Sequence, residues 1–198
     1  MKFDAGFYQR YYRDPETRVA SREDAIRLGR FICAFTSYLG FSVRRVLDAG
    51  CGLGQMRKAV QEQFPRARYV GLDPSEYLSK RHGWVRASIA DYKPRAPFDL
   101  VICHDVLQYL PDREAARALG NLARLCRGAM YFSVLTTEDW KRNADRGRTD
   151  AGVWLRPAAW YRSRLGRHFR PLGAGLLARR GFAPLLWELE RPWPAPAP

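Results

Sequence analysis

Val46-Leu47-Asp48-Ala49-Gly50-Cys51-Gly52-Leu53-Gly54 reads as an apolar strand that ends in an acid and then turns through three alternating glycines. Glycine reaches positive φ without penalty and lets a ligand lie against the backbone, so such a turn between strand and helix marks a nucleotide or nucleoside site. A second strand, Tyr69-Val70-Gly71-Leu72-Asp73, ends in a carboxylate nineteen residues past Gly54. A carboxylate there can accept hydrogen bonds from both hydroxyls of a ribose. The glycine spacing is G-x-G-x-G, with Asp48 two residues ahead of the first glycine and Gln55 after the last. A diphosphate prefers an uncharged, amide-rich turn, whereas Asp48 repels phosphate and suits a cationic ligand. The two motifs together point away from a dinucleotide.

Outward from this turn, short apolar runs alternate with helical stretches. Helices are predicted near 55–63, 76–82 and 112–126, and strands at Trp84 to Ser88, Asp99 to Cys103 and Ala129 to Leu135. Such alternation implies a parallel sheet covered on both faces, an α/β class with three α/β/α layers. After a helix at 157–168, apolar segments at 169–178 and 182–190 meet through Arg180-Gly181. Strands that close together form a hairpin, so the last one, read at Leu186 to Glu190, runs antiparallel to the rest. Upstream, Ser21-Arg22-Glu23-Asp24 has the capping-box form, and Ala25, Leu28, Ile32, Phe35 and Leu39 recur at helical spacing until Gly40. Before it, Phe3, Phe7, Tyr8, Tyr11 and Tyr12 lie on a short helix that ends near Asp14-Pro15. The chain thus divides into a helical cap (1–43), an α/β core (44–191) and a tail (192–198) with four prolines in seven residues.

The 198 residues suffice for one ordinary core, and no apolar run approaches the length of a membrane-spanning helix. No signal-like stretch opens the sequence, which makes the cytoplasm the expected location. Cys33, Cys51, Cys103 and Cys126 form no CxxC and no metal-ligand pattern, so reduced thiols and no metal are expected. The net charge is +14, and +9 of it falls in residues 141–180, where Lys141 and ten arginines face only Asp145 and Asp150. That segment could attract an acidic small substrate or RNA, or simply be a solvated face.

Val46 to Gly54, Val70 to Asp73, and Phe98-Asp99-Leu100-Val101 running into Val106-Leu107-Gln108-Tyr109-Leu110 resemble the motifs of the class I S-adenosylmethionine-dependent methyltransferases. The resemblance covers about residues 44–135 by motif and extends to the hairpin by topology. It implies a seven-stranded sheet with an antiparallel last strand and N-terminal helices as a lid. It also implies S-adenosylmethionine as cofactor and S-adenosylhomocysteine as product. Asp48, Gly50, Cys51 and Gly52 would line the methionine end, Asp73 would hold the ribose, and Ser88-Ile89 would meet the adenine. Ser88 departs from the aspartate common at that position. Cys103 would lie beside the cofactor; Ile102 precedes it, so the Pro-Cys pair of cytosine methylation is missing, as is the [DNS]-Pro-Pro-aromatic signature of base amino-group methylation.

By the same resemblance, the residues after the fourth strand face the transferred methyl, which makes His104 and Tyr109 the catalytic candidates. His104 reads as a general base or as a capping or merely orienting histidine, Tyr109 as a second catalytic group or as a packed lid residue, and Asp105 as an N-cap for the next turn. Tyr8, Tyr12, Arg148 and Trp154 are the expected substrate contacts, and an aromatic lid with arginine suits a planar or carboxylate-bearing molecule. The reading is methyl transfer to an oxygen or nitrogen of a small, anionic metabolite by a monomer or homodimer. RNA methylation through residues 141–180 and a non-catalytic scaffold are the alternatives.

Overall fold

The computed structural model describes residues 3–191, so the proline-rich tail expected at 192–198 lies outside the described residues. Seven strands form one sheet: β1 (Arg45–Ala49), β2 (Arg68–Asp73), β3 (Val85–Arg86), β4 (Phe98–His104), β5 (Cys126–Ser133), β6 (Phe169–Gly173) and β7 (Leu176–Arg179). Their spatial order is β3-β2-β1-β4-β5-β7-β6, with β7 antiparallel to both of its neighbours. The helices are α1 (Ala5–Tyr8), α2 (Arg22–Tyr38), α3 (Arg57–Gln63), α4 (Glu76–His82), α5 (Asp112–Leu125), α6 (Thr137–Arg142) and α7 (Ala158–Leu165).

Alternating side chains of the central strands build two cores. Leu47, Ala49, Val101, Cys103 and Met130 face α5 and α7, where Leu119, Leu122, Tyr161 and Leu165 meet them. Val46, Leu100, Ile102 and Ala129 face the opposite layer with Ile32 and Cys33 of α2 and Val60 of α3. Burying Leu119 and Leu122 contributes roughly 2 kcal/mol apiece. Helix α2 starts where its sequence says, with Ser21 and Asp24 closing a reciprocal capping box, and stops before Gly40 at φ +78°.

The hairpin is present but earlier than the sequence suggested. Its turn is Gly173-Ala174-Gly175, all at positive φ, rather than Arg180-Gly181. What decides between the two glycine-bearing turns is non-local: β7 must lay Leu176 and Ala178 onto the core while pairing Leu176 with Tyr131 of β5. Leu186 to Glu190 is therefore not a strand. Leu185 and Leu189 are exposed there, and Glu188–Glu190 is a single 3-10 turn.

The register places the site. Ala49 of β1 pairs with Leu72 of β2 and with Cys103 of β4. The strands diverge in connection on either side of β1, and at that switch point the strand ends leave a crevice. Asp48, Asp73 and His104 all stand at its mouth.

Candidate active site

Two glycines shape the turn after β1. Gly50 sits at φ +71°, and a Cβ there would lie 2.3 Å from Val106 Cγ2, so only glycine fits. Gly52, at φ +52°, faces the Tyr12 ring, with 3.7 Å between the ring and the place a Cβ would take. Its N–H donates to Asp73 Oδ2 at 3.1 Å, which binds the turn to the end of β2.

Both acids at this turn are almost fully buried. Asp48 accepts a 2.6 Å hydrogen bond from the Tyr69 hydroxyl. Burial pushes its carboxyl up to about 6, opposed by the Tyr69 hydrogen bond and reinforced by Asp73. Its folded value thus lies above that of an ordinary aspartate, so its contribution to stability is complete below the unfolded value and is lost as pH rises through about 6. Asp48→Asn keeps an acceptor for Tyr69 and removes that loss. Urea unfolding should show the variant roughly 2–3 kcal/mol more stable than wild type at about pH 7.5 and indistinguishable at about pH 4. Equal stability at both pH values would mean that Asp48 carries no buried charge.

Asp73 Oδ1 accepts from the Ser75 N–H at 2.9 Å and from the Tyr8 hydroxyl at 3.4 Å. Burial raises its carboxyl and these hydrogen bonds, with that from Gly52, pull it back. The N-terminal segment is fastened beside it: Ser75 Oγ donates to the Phe3 carbonyl, and Phe3 and Phe7 pack edge-on against Tyr109.

A cavity of about 650 Å³ opens over the turn. Of the residues singled out in the sequence, Asp48, Gly50, Cys51, Gly52, Tyr12, His104 and Tyr109 line it. Asp73, Tyr8, Ser88, Ile89, Cys103, Arg148 and Trp154 do not. Tyr8 covers Asp73, and Ile89 and Cys103 are buried in the core. Ser88 Oγ accepts from the Ala90 N–H and shapes its own turn. Trp154 is more than half exposed, and Arg148 is drawn to Asp145 at 3.7 Å.

The arginine-rich segment does not supply the cavity with positive charge. No Lys or Arg lines it among the described residues. Arg164 stacks on Trp160, Arg179 donates to the Ala123 carbonyl, and Arg156 is buried. Arg156 is a structural staple that sequence reading passed over. Its guanidinium meets Asp112, the Tyr161 hydroxyl and the carbonyls of Leu107, Leu110 and Trp154. Together with the 2.7 Å bond from Trp154 N–H to the Gln108 carbonyl, it ties the loop between α6 and α7 to the turn after β4.

That turn differs from expectation in one respect. Asp105 does not cap the 3-10 turn Leu107–Tyr109, whose N-cap is Val106 with no side-chain bond. It takes a left-handed conformation, φ +54°, because its N–H is held by the Ser133 carbonyl, and its Oδ2 lies 3.4 Å from His104 Nε2. Strain of this kind concentrates where side chains must be aimed. Burial, with Tyr12, Asp150 and Asp105 adding, holds the Tyr109 phenol well above its ordinary range. Tyr12 is shifted the same way, by burial and then by Asp105 and Asp73. Both phenols stay protonated.

The model of a family described as "Methyltransferase domain" matches residues 22–183. A curated relative, the trans-aconitate 2-methyltransferase of Azoarcus sp., is 31% identical over 147 residues, 64% of this chain and 57% of its own length. The enzyme of the same description from Acidovorax sp. is 35% identical over 48% of this chain and 38% of its own. The chain therefore spans at most a little over half the length of these relatives. Among solved structures, the sugar N-methyltransferase KedS8 from Streptoalloteichus sp. superposes with a TM-score of 0.65 at 18% identity, covering 80% of this chain and 88% of that one. The magnesium protoporphyrin IX methyltransferase from Synechocystis does so at 0.58 and 21%, covering 88% and 91%. At such identities the likeness is one of fold.

Proposed function

Because the chain belongs to the class I S-adenosylmethionine-dependent methyltransferase family, we propose that it moves a methyl group from S-adenosylmethionine to an oxygen or nitrogen of a small molecule. One observation carries this reading. A single cavity joins Asp48 and the Gly50–Gly52 backbone to His104 and the two protonated phenols. The lining suits the cofactor's chemistry, since buried carboxylates at a glycine turn favour a cation and disfavour a diphosphate.

When bound, S-adenosylmethionine supplies a methyl group already activated on a sulfonium. The chain's task is then to hold that group, exclude water and position the acceptor. Asp48 and the glycine turn hold the methionine end. Asp73 takes the ribose hydroxyls once the long Tyr8 contact gives way. The adenine is assigned to the turn at Ser88 and Ile89, which lies outside the open cavity, and residues 3–13 form a lid over the ribose. His104 Nε2 lies 3.4 Å from Asp105 Oδ2, so a proton held there leaves the imidazole lone pair on Nδ1 to accept a proton from the acceptor. Tyr109 donates a hydrogen bond rather than acting as base. The relatives named for trans-aconitate support a small-molecule acceptor, and the free cysteines fit a cytoplasmic setting.

Calorimetry with S-adenosylmethionine and S-adenosylhomocysteine should give micromolar-range binding that changes little with salt, and trans-aconitate and a metabolite panel then test for labelled methyl transfer. Failure of both ligands to bind would sink the proposal. RNA affinity that falls steeply with salt, accompanied by methylation of RNA, would replace the acceptor class.

A further inference from the structure

Three buried polar atoms have no hydrogen-bond partner among the described residues: His104 Nδ1, Gln108 Oε1 and Asp150 Oδ2. All three belong to residues that line the one cavity over the glycine turn. Among the described residues the other buried side-chain polar atoms are paired, because an unpaired acceptor costs about 1–3 kcal/mol. Three residues with such atoms in the lining of one cavity mark a place where a ligand completes the hydrogen bonding.

Their chemistry is one-sided. Gln108 is only 4% exposed, yet its side-chain oxygen is unmatched. Asp150 spends one oxygen on the Gly152 N–H at 2.9 Å and has the other free. Other aspartates of the lining are occupied: Asp24 by Ser21 and Arg27, Asp139 by Thr136 and Asn143, Asp145 by Gly147 and Arg148. With Asp48 and Asp105, six carboxylates and no Lys or Arg line the space. A carboxylate-bearing acceptor would meet Asp150 with no cation between them, at a cost of several kcal/mol at short range. A ligand that presents N–H groups and positive charge satisfies all of these groups at once.

Resting on the methyltransferase reading above, we propose that the acceptor is an amine, with its N–H groups on Asp150 Oδ2 and Gln108 Oε1, and that the reaction is N-methylation. The bound ammonium first gives one proton to His104 Nδ1, which passes it on to water; the freed nitrogen lone pair then forms the new C–N bond, the methyl C–S bonding pair remains on sulfur as a thioether, and the product leaves as the methylated ammonium. Asp150 and Gln108 thereby set specificity. Their meeting depends on Arg156 and on the Trp154–Gln108 backbone bond, which hold the loop carrying Asp150 against the turn carrying Gln108.

The test uses the protein loaded with S-adenosylhomocysteine and titrated with phenethylamine, spermidine and glucosamine against phenylacetate and citrate. The same probes are then offered with labelled S-adenosylmethionine. At least one amine should bind and accept methyl in preference to every carboxylate. Asp150→Asn and Gln108→Leu should each weaken that amine about 10- to 100-fold while leaving S-adenosylhomocysteine affinity unchanged, which also reports that the variants fold. Preference for a carboxylate, no binding by any amine, or amine affinity untouched in both variants overturns the proposal. If S-adenosylhomocysteine itself does not bind, it is the methyltransferase reading that fails.

Discussion

Asp73→Ala should lose S-adenosylhomocysteine binding by about 100-fold or more, because two hydrogen bonds from ribose hydroxyls to a charged, buried carboxylate are each worth roughly 1.5–3 kcal/mol. The carboxylate is prepared for this. Gly52 and Ser75 N–H groups fix both oxygens in place. The Tyr8 hydroxyl, at 3.4 Å, is the weakest of its contacts and the one a ribose hydroxyl would displace. Removing the carboxylate also strands those donors, so the comparison needs Asp73→Asn, which preserves an acceptor and the side-chain volume. The alanine and asparagine variants should both melt cooperatively and both lose affinity, alanine the more. Calorimetric affinity within threefold of wild type in a folded Asp73→Ala protein would show that the ribose lies elsewhere.

The parts of this site that sequence alone disclosed are those whose physics is local. A glycine turn after an apolar strand, an acid at the end of the next strand and a capping box at Ser21 are each written within a few residues. The turn of the β6–β7 hairpin was not, because Gly173-Ala174-Gly175 and Arg180-Gly181 look alike locally and only pairing with β5 chooses between them. Gln108 stood out in sequence as a lone polar residue in the run Val106 to Leu110, a signal that could have been weighed. Asp150 stands in Arg148-Thr149-Asp150, within the segment that the resemblance put over the substrate, but its place at the cavity depends on the bonds of Arg156 and Trp154, which connect segments far apart in the chain. Charge misled in the same way. The arginines of 141–180 give the chain its basic character, but several are consumed by packing and none of them faces the cavity among the described residues.

His104→Gln should lower kcat by about 10²–10⁴-fold while leaving S-adenosylhomocysteine affinity and the acceptor's KM within a few-fold of wild type. The size follows from the proton. A methyl acceptor that carries a hydrogen must shed it, and the imidazole is the one side-chain nitrogen base at the cavity wall among the described residues; the phenols of Tyr12 and Tyr109 are held protonated by burial and by the aspartates around them. Asp105 fixes which nitrogen is free, since its left-handed backbone aims Oδ2 at Nε2. Asp105→Asn should therefore keep the cavity intact yet cut kcat less than the histidine variant does, through loss of the tautomer preference rather than of the base. A loss below tenfold would make His104 an orienting residue, and the proton would then leave by water.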